Sequence, residues 1–139
     1  MLSMLSEKTK KAREKVLAAH LKGESEKDVD QVLATMPEPT YDLVTVDRVL
    51  HGRKDVGTFL GNMFSMLGPN THLADKMYHT DDTAIVEVIT VFPDGFDGSE
   101  AGAEFRVKTV GIFGFDGETL LWERVYADPA QIFPLLEGV

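Results

Sequence analysis

Residues 103–129 read AEFRVKTVGIFGFDGETLLWERVYADP, and the fold turns on how this stretch divides. Glu104, Arg106 and Lys108 alternate with Phe105, Val107 and Thr109, the period of two expected of a strand with one wet and one apolar face. Further along, Val110 and Ile112 replace the charges on the outer face, while Gly111, Phe113 and Phe115 continue the inner one. The outer face therefore needs a cover from that point on. Either a second copy of the chain supplies it, making a homodimer, or the C-terminal segment with Ile132, Phe133 and Leu136 folds over it. Asp116-Gly117 is a hairpin signal, so Thr119 to Ala127 returns as the next strand. There Glu123, Val125 and Ala127 share one face, and Trp122, Arg124 and Tyr126 the other. Asp128-Pro129 then opens a short helix, with Asp as N-cap and Pro at the first helical position.

Upstream of this stretch, two more extended segments are expected near Thr71 to Thr80 and Ala84 to Phe92, so that four strands form one antiparallel sheet. The Gly-rich residues 93–102 make a longer loop between the second and third of them. Before the strands, Val56, Phe59, Leu60, Met63, Phe64 and Leu67 recur in steps of three and four and stop at Gly68-Pro69, predicting a helix with one buried face. Pro37 and Pro39 exclude helix, and the Val-, Thr- and Tyr-rich run from Thr40 to Leu50 reads as a strand. At the start, Glu7 to Leu21 is an amphipathic helix stopped by Gly23, and Ser25 opens a short second helix carrying Val29, Val32, Leu33 and Met36.

A chain of 139 residues is expected to form one domain across 1–139. It contains no cysteine, which removes disulfides and thiolate chemistry and fits a reducing cytoplasm. Met1 to Lys15 holds no apolar run of signal-peptide or membrane-span length, so no membrane partner is expected. With 23 acidic against 14 basic residues the net charge is −9, a field that repels nucleic-acid phosphates. No glycine loop joins a strand to a helix with phosphate-binding spacing, and no Gly-x-Ser-x-Gly elbow exists, so neither a nucleotide cofactor nor a serine nucleophile is expected.

The chemistry must come from other side chains. Glu87 stands in the middle of a strand that is apolar on both faces, where a carboxylate either pairs with a neighbouring cation or serves as a pocket acid or base. Glu123 is the second candidate carboxylate. His51 and His79 lie at predicted strand ends, where loops rim pockets, and Tyr41 and Tyr78 are candidate phenol donors. Neither His51 nor His79 has a second ligand at metal-binding spacing on its own element, so no metal is expected. Asp128 is explained by its helix cap. Phe59, Met63 and Phe64 suit either a core or the wall of a pocket for an apolar molecule.

The order helix, helix, strand, buried helix and four strands, closing with Ile112-Phe113-Gly114-Phe115-Asp116-Gly117 and Glu123-Arg124-Val125-Tyr126-Ala127-Asp128-Pro129, resembles the SnoaL-like branch of the nuclear transport factor 2-like superfamily. The resemblance implies an α+β cone: a curved antiparallel sheet wrapped around the N-terminal helices and one long buried helix. It further implies a ligand cavity within the cone and frequent homodimers. Ketosteroid isomerases, polyketide cyclases, limonene epoxide hydrolases, dehydratases and binding-only modules share this fold, so the reaction does not follow from it. Carried over residue by residue, the last-strand aspartate of the cyclases and epoxide hydrolases falls on Val125, and the isomerases' oxyanion-hole acid near Gly111. The hydrolases' arginine and aspartate fall on Val88 and Thr90. The family's first-strand base or amide lies between Tyr41 and Val44, where Asp42 is the carboxylate. These readings leave a pocket for a small apolar molecule, lined by Phe59, Met63, Phe64, Val88, Thr90, Thr109, Gly111, Phe113 and Val125. Glu87, Glu123, Tyr41, Asp42, His51 and His79 are the candidates for cofactor-free acid–base chemistry, and a ligand-binding module without catalysis is the alternative.

Overall fold

The computed structural model describes residues 5–139. The first residues of the N-terminal segment read above, 1–4, lie outside the described residues. Helix α1 spans Glu7–Ser25 and α2 spans Val29–Leu33; β1 (Thr40–Leu43) and β2 (Arg48–His51) precede α3 (Gly52–Met66). Strands β3 (Thr71–His79), β4 (Thr83–Phe92), β5 (Phe105–Asp116) and β6 (Thr119–Val125) follow, and α4 (Pro129–Ile132) leads into a 3-10 turn at Phe133–Leu136. The six strands form one sheet in the order β2-β1-β6-β5-β4-β3. No helix among the described residues is long and apolar enough to cross a membrane.

Three local expectations are corrected. The run Thr40 to Leu50 is two strands, because Val44–Val46 forms a 3-10 turn and Asp47 takes a left-handed conformation (φ 51°) that reverses the chain into a β1–β2 hairpin. A short polar aspartate tolerates that region better than its β-branched neighbours would. Gly23 does not stop α1; a side chain there would place Cβ 2.9 Å from Val32 Cγ2, so the glycine is what lets α2 pack on α1. Ser25 therefore closes α1 by donating to the Leu21 carbonyl, and Asp28 caps α2 by accepting from the Gln31 amide. Finally, the sheet is mixed: β1 lies parallel to β6, pairing Tyr41 with Glu123.

Alternation along β4 sends Ala84, Val86, Val88, Thr90 and Phe92 inward and Ile85, Glu87 and Ile89 outward. Against the inner face pack Leu17 and Leu21 of α1 and Val56, Leu60 and Phe64 of α3. At the β5–β6 hairpin the Trp122 ring covers Gly114, where a Cβ would come within 1.9 Å of the indole. Asp128 caps α4 by accepting from the Ala130 amide at 2.9 Å. The C-terminal segment does not fold over the outer face. Ile132 and Leu135 enter the core, Asn62 of α3 donates to the Leu135 and Glu137 carbonyls, and Val110 on the outer face stays 51% exposed.

Candidate functional site

A cavity of about 760 Å³ runs between the inner sheet face, α3 and the C-terminal segment. Phe59 and Met63 of α3 and Val88 and Thr90 of β4 line it. Thr109, Gly111 and Phe113 of β5 and Val125 of β6 complete that wall. Phe64 is not on the wall: it lies one step around α3 and is buried in the core.

At one end of this apolar space lies a polar floor. Helical spacing places His20 and Glu24 one turn apart on the buried face of α1, and the parallel β1–β6 pairing sets Tyr41 beside Glu123. His20 Nε2 lies 3.1 Å from Glu24 Oε1, 3.3 Å from Glu123 Oε2 and 3.4 Å from the Tyr41 hydroxyl. Side-chain exposure is 0% for His20, 10% for Glu24 and 14% for Glu123, so His20 sits behind the floor while the two carboxylates and Tyr41 face the cavity.

Hydrogen bonding fixes the charge on the imidazole. Thr35 spends its hydroxyl proton on the Val32 carbonyl at 2.6 Å, so His20 Nδ1 must donate to Thr35 Oγ1 at 2.8 Å. On the other side Nε2 faces the Glu24 and Glu123 carboxylates, which only accept, and the more distant Tyr41 hydroxyl, which hydrogen-bonds to Glu123, so Nε2 carries a proton too. Burial by itself opposes the imidazolium, but the hydrogen bonds it donates to Glu123 and Glu24 and the charge of both overcome it, raising His20 from 6.5 to about 10. Burial likewise opposes ionised Glu24, yet its hydrogen bond to His20 and the charges of His20 and His72 hold its carboxyl below the usual range. Burial, then the charges of Glu123 and Glu24 and a hydrogen bond to Glu123, push the Tyr41 phenol well above its ordinary value and keep its proton on. Glu24 Oε2 meets His72 Nε2 at 3.3 Å, and His72 Nδ1 is buried with no partner among the described residues.

The remaining candidates do not join this floor. Glu87 is on the outer face, where it accepts from the Tyr78 hydroxyl at 2.9 Å; the strand looks apolar on both sides only because Ile85, Ile89 and Val91 share that face. The same bond raises the exposed Tyr78 phenol. Asp42 points away from Tyr41 by strand alternation and lies 3.7 Å from Arg124 Nε. His51 is exposed at the start of α3, with Nδ1 3.1 Å from Thr40 Oγ1, and His79 pairs with Glu14 at 3.3 Å. His20, Glu24 and His72 were not among the expected site residues. The signal for the first two was a His and a Glu four apart on the same helical face as Leu17 and Leu21.

No family model matches the sequence, and no curated protein does either. Solved structures do. A nuclear transport factor 2-like protein of Anabaena variabilis superposes with a TM-score of 0.68 at 14% identity, covering 92% of this chain and 96% of that one. An epoxide hydrolase of the limonene epoxide hydrolase-like type from M. tuberculosis gives 0.63 at 19% identity, covering 94% and 92%. A protein of ketosteroid isomerase-like fold from Catenulispora acidiphila, in complex with trimethylamine, gives 0.66 at 14% identity, covering 88% and 92%. With helices held against an open, curved sheet around a cavity, the chain has the nuclear transport factor 2-like α+β fold of the SnoaL-like and ketosteroid isomerase-like proteins.

Proposed function

We propose that the cavity binds a small, largely apolar molecule and that Glu123 moves a proton on it without a cofactor. The observation that carries this reading is the position of Glu123, half-buried at the cavity floor beside the Tyr41 hydroxyl and tied through one oxygen to His20. Its second oxygen takes a proton from a carbon next to a substrate carbonyl, the C–H pair moving into an enolate. The enolate oxygen accepts a hydrogen bond from Tyr41, which is a proton donor at neutral pH. Return of the proton to another carbon completes an isomerisation. His20 touches no substrate; it is a positioning residue that fixes the Glu123 rotamer. Structures of this fold include an epoxide hydrolase and a protein described as a SnoaL-like polyketide cyclase, and another was obtained with a small organic molecule, trimethylamine.

A second reading, a binding module without catalysis, is favoured by the apolar wall at Val125, Gly111 and Val88, where relatives of this resemblance carry acids or arginine. The two separate in one experiment. Sterols, aromatic polyketides, terpenes and fatty acids are screened by thermal shift, and hits are assayed for turnover with the wild type and Glu123→Gln. Turnover lost with binding kept supports the enzyme; binding without turnover in the wild type supports the module.

The outer face carries Ile85, Ile89, Val110 and Ile112 around Glu87, whose carboxylate is taken up by Tyr78, and this apolar cluster suits a second copy of the chain. Light scattering after size exclusion is expected to give the dimer mass, and a monomer mass at tens of micromolar would remove this assembly.

A further inference from the structure

The polar floor presents mainly hydrogen-bond acceptors to the cavity. Two carboxylates, Glu24 and Glu123, lie within 4.8 Å of each other and of His20 Nε2, and they share that single imidazolium. His72 Nε2 donates to Glu24 Oε2 at 3.3 Å, and its Nδ1 is enclosed with no partner among the described residues, so the N–H it turns to the floor is already spent on Glu24. Arg124 reaches the cavity lining, yet its guanidinium is turned to the other face, over the Trp122 ring at 4.5 Å and toward Asp42. His20 itself is fully enclosed behind the floor. What an occupant meets at the floor is therefore chiefly carboxylate oxygen, beside His72 and the Tyr41 hydroxyl, with the His20 imidazolium out of reach.

The rest of the space dictates the rest of the occupant. From Phe113, paired with Glu123, the inner face of β5 runs back to Phe105, eight residues or roughly 26 Å of strand. At that far end Phe92, Phe96 and Phe105 gather with ring centroids 5.2–6.4 Å apart, all on the cavity wall. Beside the floor, Tyr41 and Phe59 meet edge to face at 5.9 Å, offering aromatic surface next to the carboxylates.

We infer that this cavity selects elongated apolar molecules carrying a protonated amine, with the ammonium seated on the Glu24–Glu123 floor and the apolar body extended toward Phe92 and Phe105. The ammonium N–H groups match oxygens that can only accept, and they do so without displacing the proton from His20. A bare divalent cation would have to displace that proton and would leave the long apolar space empty. The inference rests on the reading of the cavity as a ligand site, and not on Glu123 acting as a base.

The test is isothermal titration at pH 7 with three probes of one skeleton: 4-phenylbutylamine, 4-phenylbutan-1-ol and 4-phenylbutyrate. The amine is expected to bind at least tenfold more tightly than the alcohol, and the carboxylate not at all. Glu123→Gln and, separately, Glu24→Gln should each shrink the preference for amine over alcohol to less than threefold, with folding of each variant verified by its melting curve. Should either variant fail to fold, the three-probe comparison on the wild type decides alone. Alcohol or carboxylate binding as tightly as the amine would overturn the inference while leaving the pocket intact. Failure of all three probes would overturn both. Equal stabilisation by zinc chloride alone would reassign the floor to a metal ion and overturn the amine.

Discussion

Helix α1 buries charge at two places on one face, and the two places behave differently. Near its start, Arg13 is almost wholly enclosed and donates to the Gly117, Thr80 and Asp81 carbonyls at 2.7, 3.0 and 2.6 Å, with Phe115 stacked 5.0 Å away. Those carbonyls belong to the turns of the β3–β4 and β5–β6 hairpins, so one guanidinium pins both turns to the helix. Two turns of helix further on, His20 and Glu24 meet Glu123, but here carboxylates line a cavity, with the His20 imidazolium between them. Burial alone therefore does not mark a functional group. Arg13 has an acceptor on each of its three nitrogens and does not line the cavity, whereas Glu123 does.

The sharpest way to break this contrast is to remove each charge in turn. Glu123→Gln is expected to lower kcat/KM on a substrate found in the screen by about 100-fold or more, the range of general-base removal, while the chain still folds with a melting temperature lowered by the loss of one His20 partner. Unchanged turnover would place Glu123 with Arg13 among structural groups. Arg13→Leu should do the reverse, costing about 3 kcal/mol in urea denaturation because three carbonyls lose their donors, and leaving ligand preference untouched. A stability loss under about 0.5 kcal/mol would show that water replaces the clamp.

A smaller effect should appear with pH. His20 is raised from 6.5 to about 10 in the folded chain, so its contribution is complete below pH 6.5 and is lost as pH climbs toward 10. Glu24 is lowered from 4.5, so its contribution is present above pH 4.5 and is lost on acidification. Melting temperature should thus peak between these limits and fall on the alkaline side, and His20→Gln should flatten the alkaline slope. The least effect belongs to Glu87→Gln: the Tyr78 contact is exposed, and a change within about 0.5 kcal/mol and no change in binding are expected.

Local patterns carried much of this architecture. The period of four in Val56 to Phe64, the alternation along Phe105 to Phe113 and the Asp128-Pro129 cap each specify their element through neighbouring residues. Alternation also put Glu123 and Val125 on one face, and both line the cavity. What escaped was set by distant partners. The parallel pairing of Tyr41 with Glu123 joins residues far apart in sequence, and no local spacing announces it. Among the lysines of α1, His20 and Glu24 resemble a solvated helical pair, and only their contacts with Glu123 and His72 turn them inward. Asp47 was a readable turn signal hidden inside a run of strand formers.

The site depends on a buried imidazolium shared by two cavity-facing carboxylates. Long-range proton–nitrogen correlation of the histidine side chains at pH 8 tests it most directly. Both ring nitrogens of His20 should resonate as protonated and stay so until the pH nears 10. A neutral His20 ring at pH 8, with Nε2 bare, would contradict it.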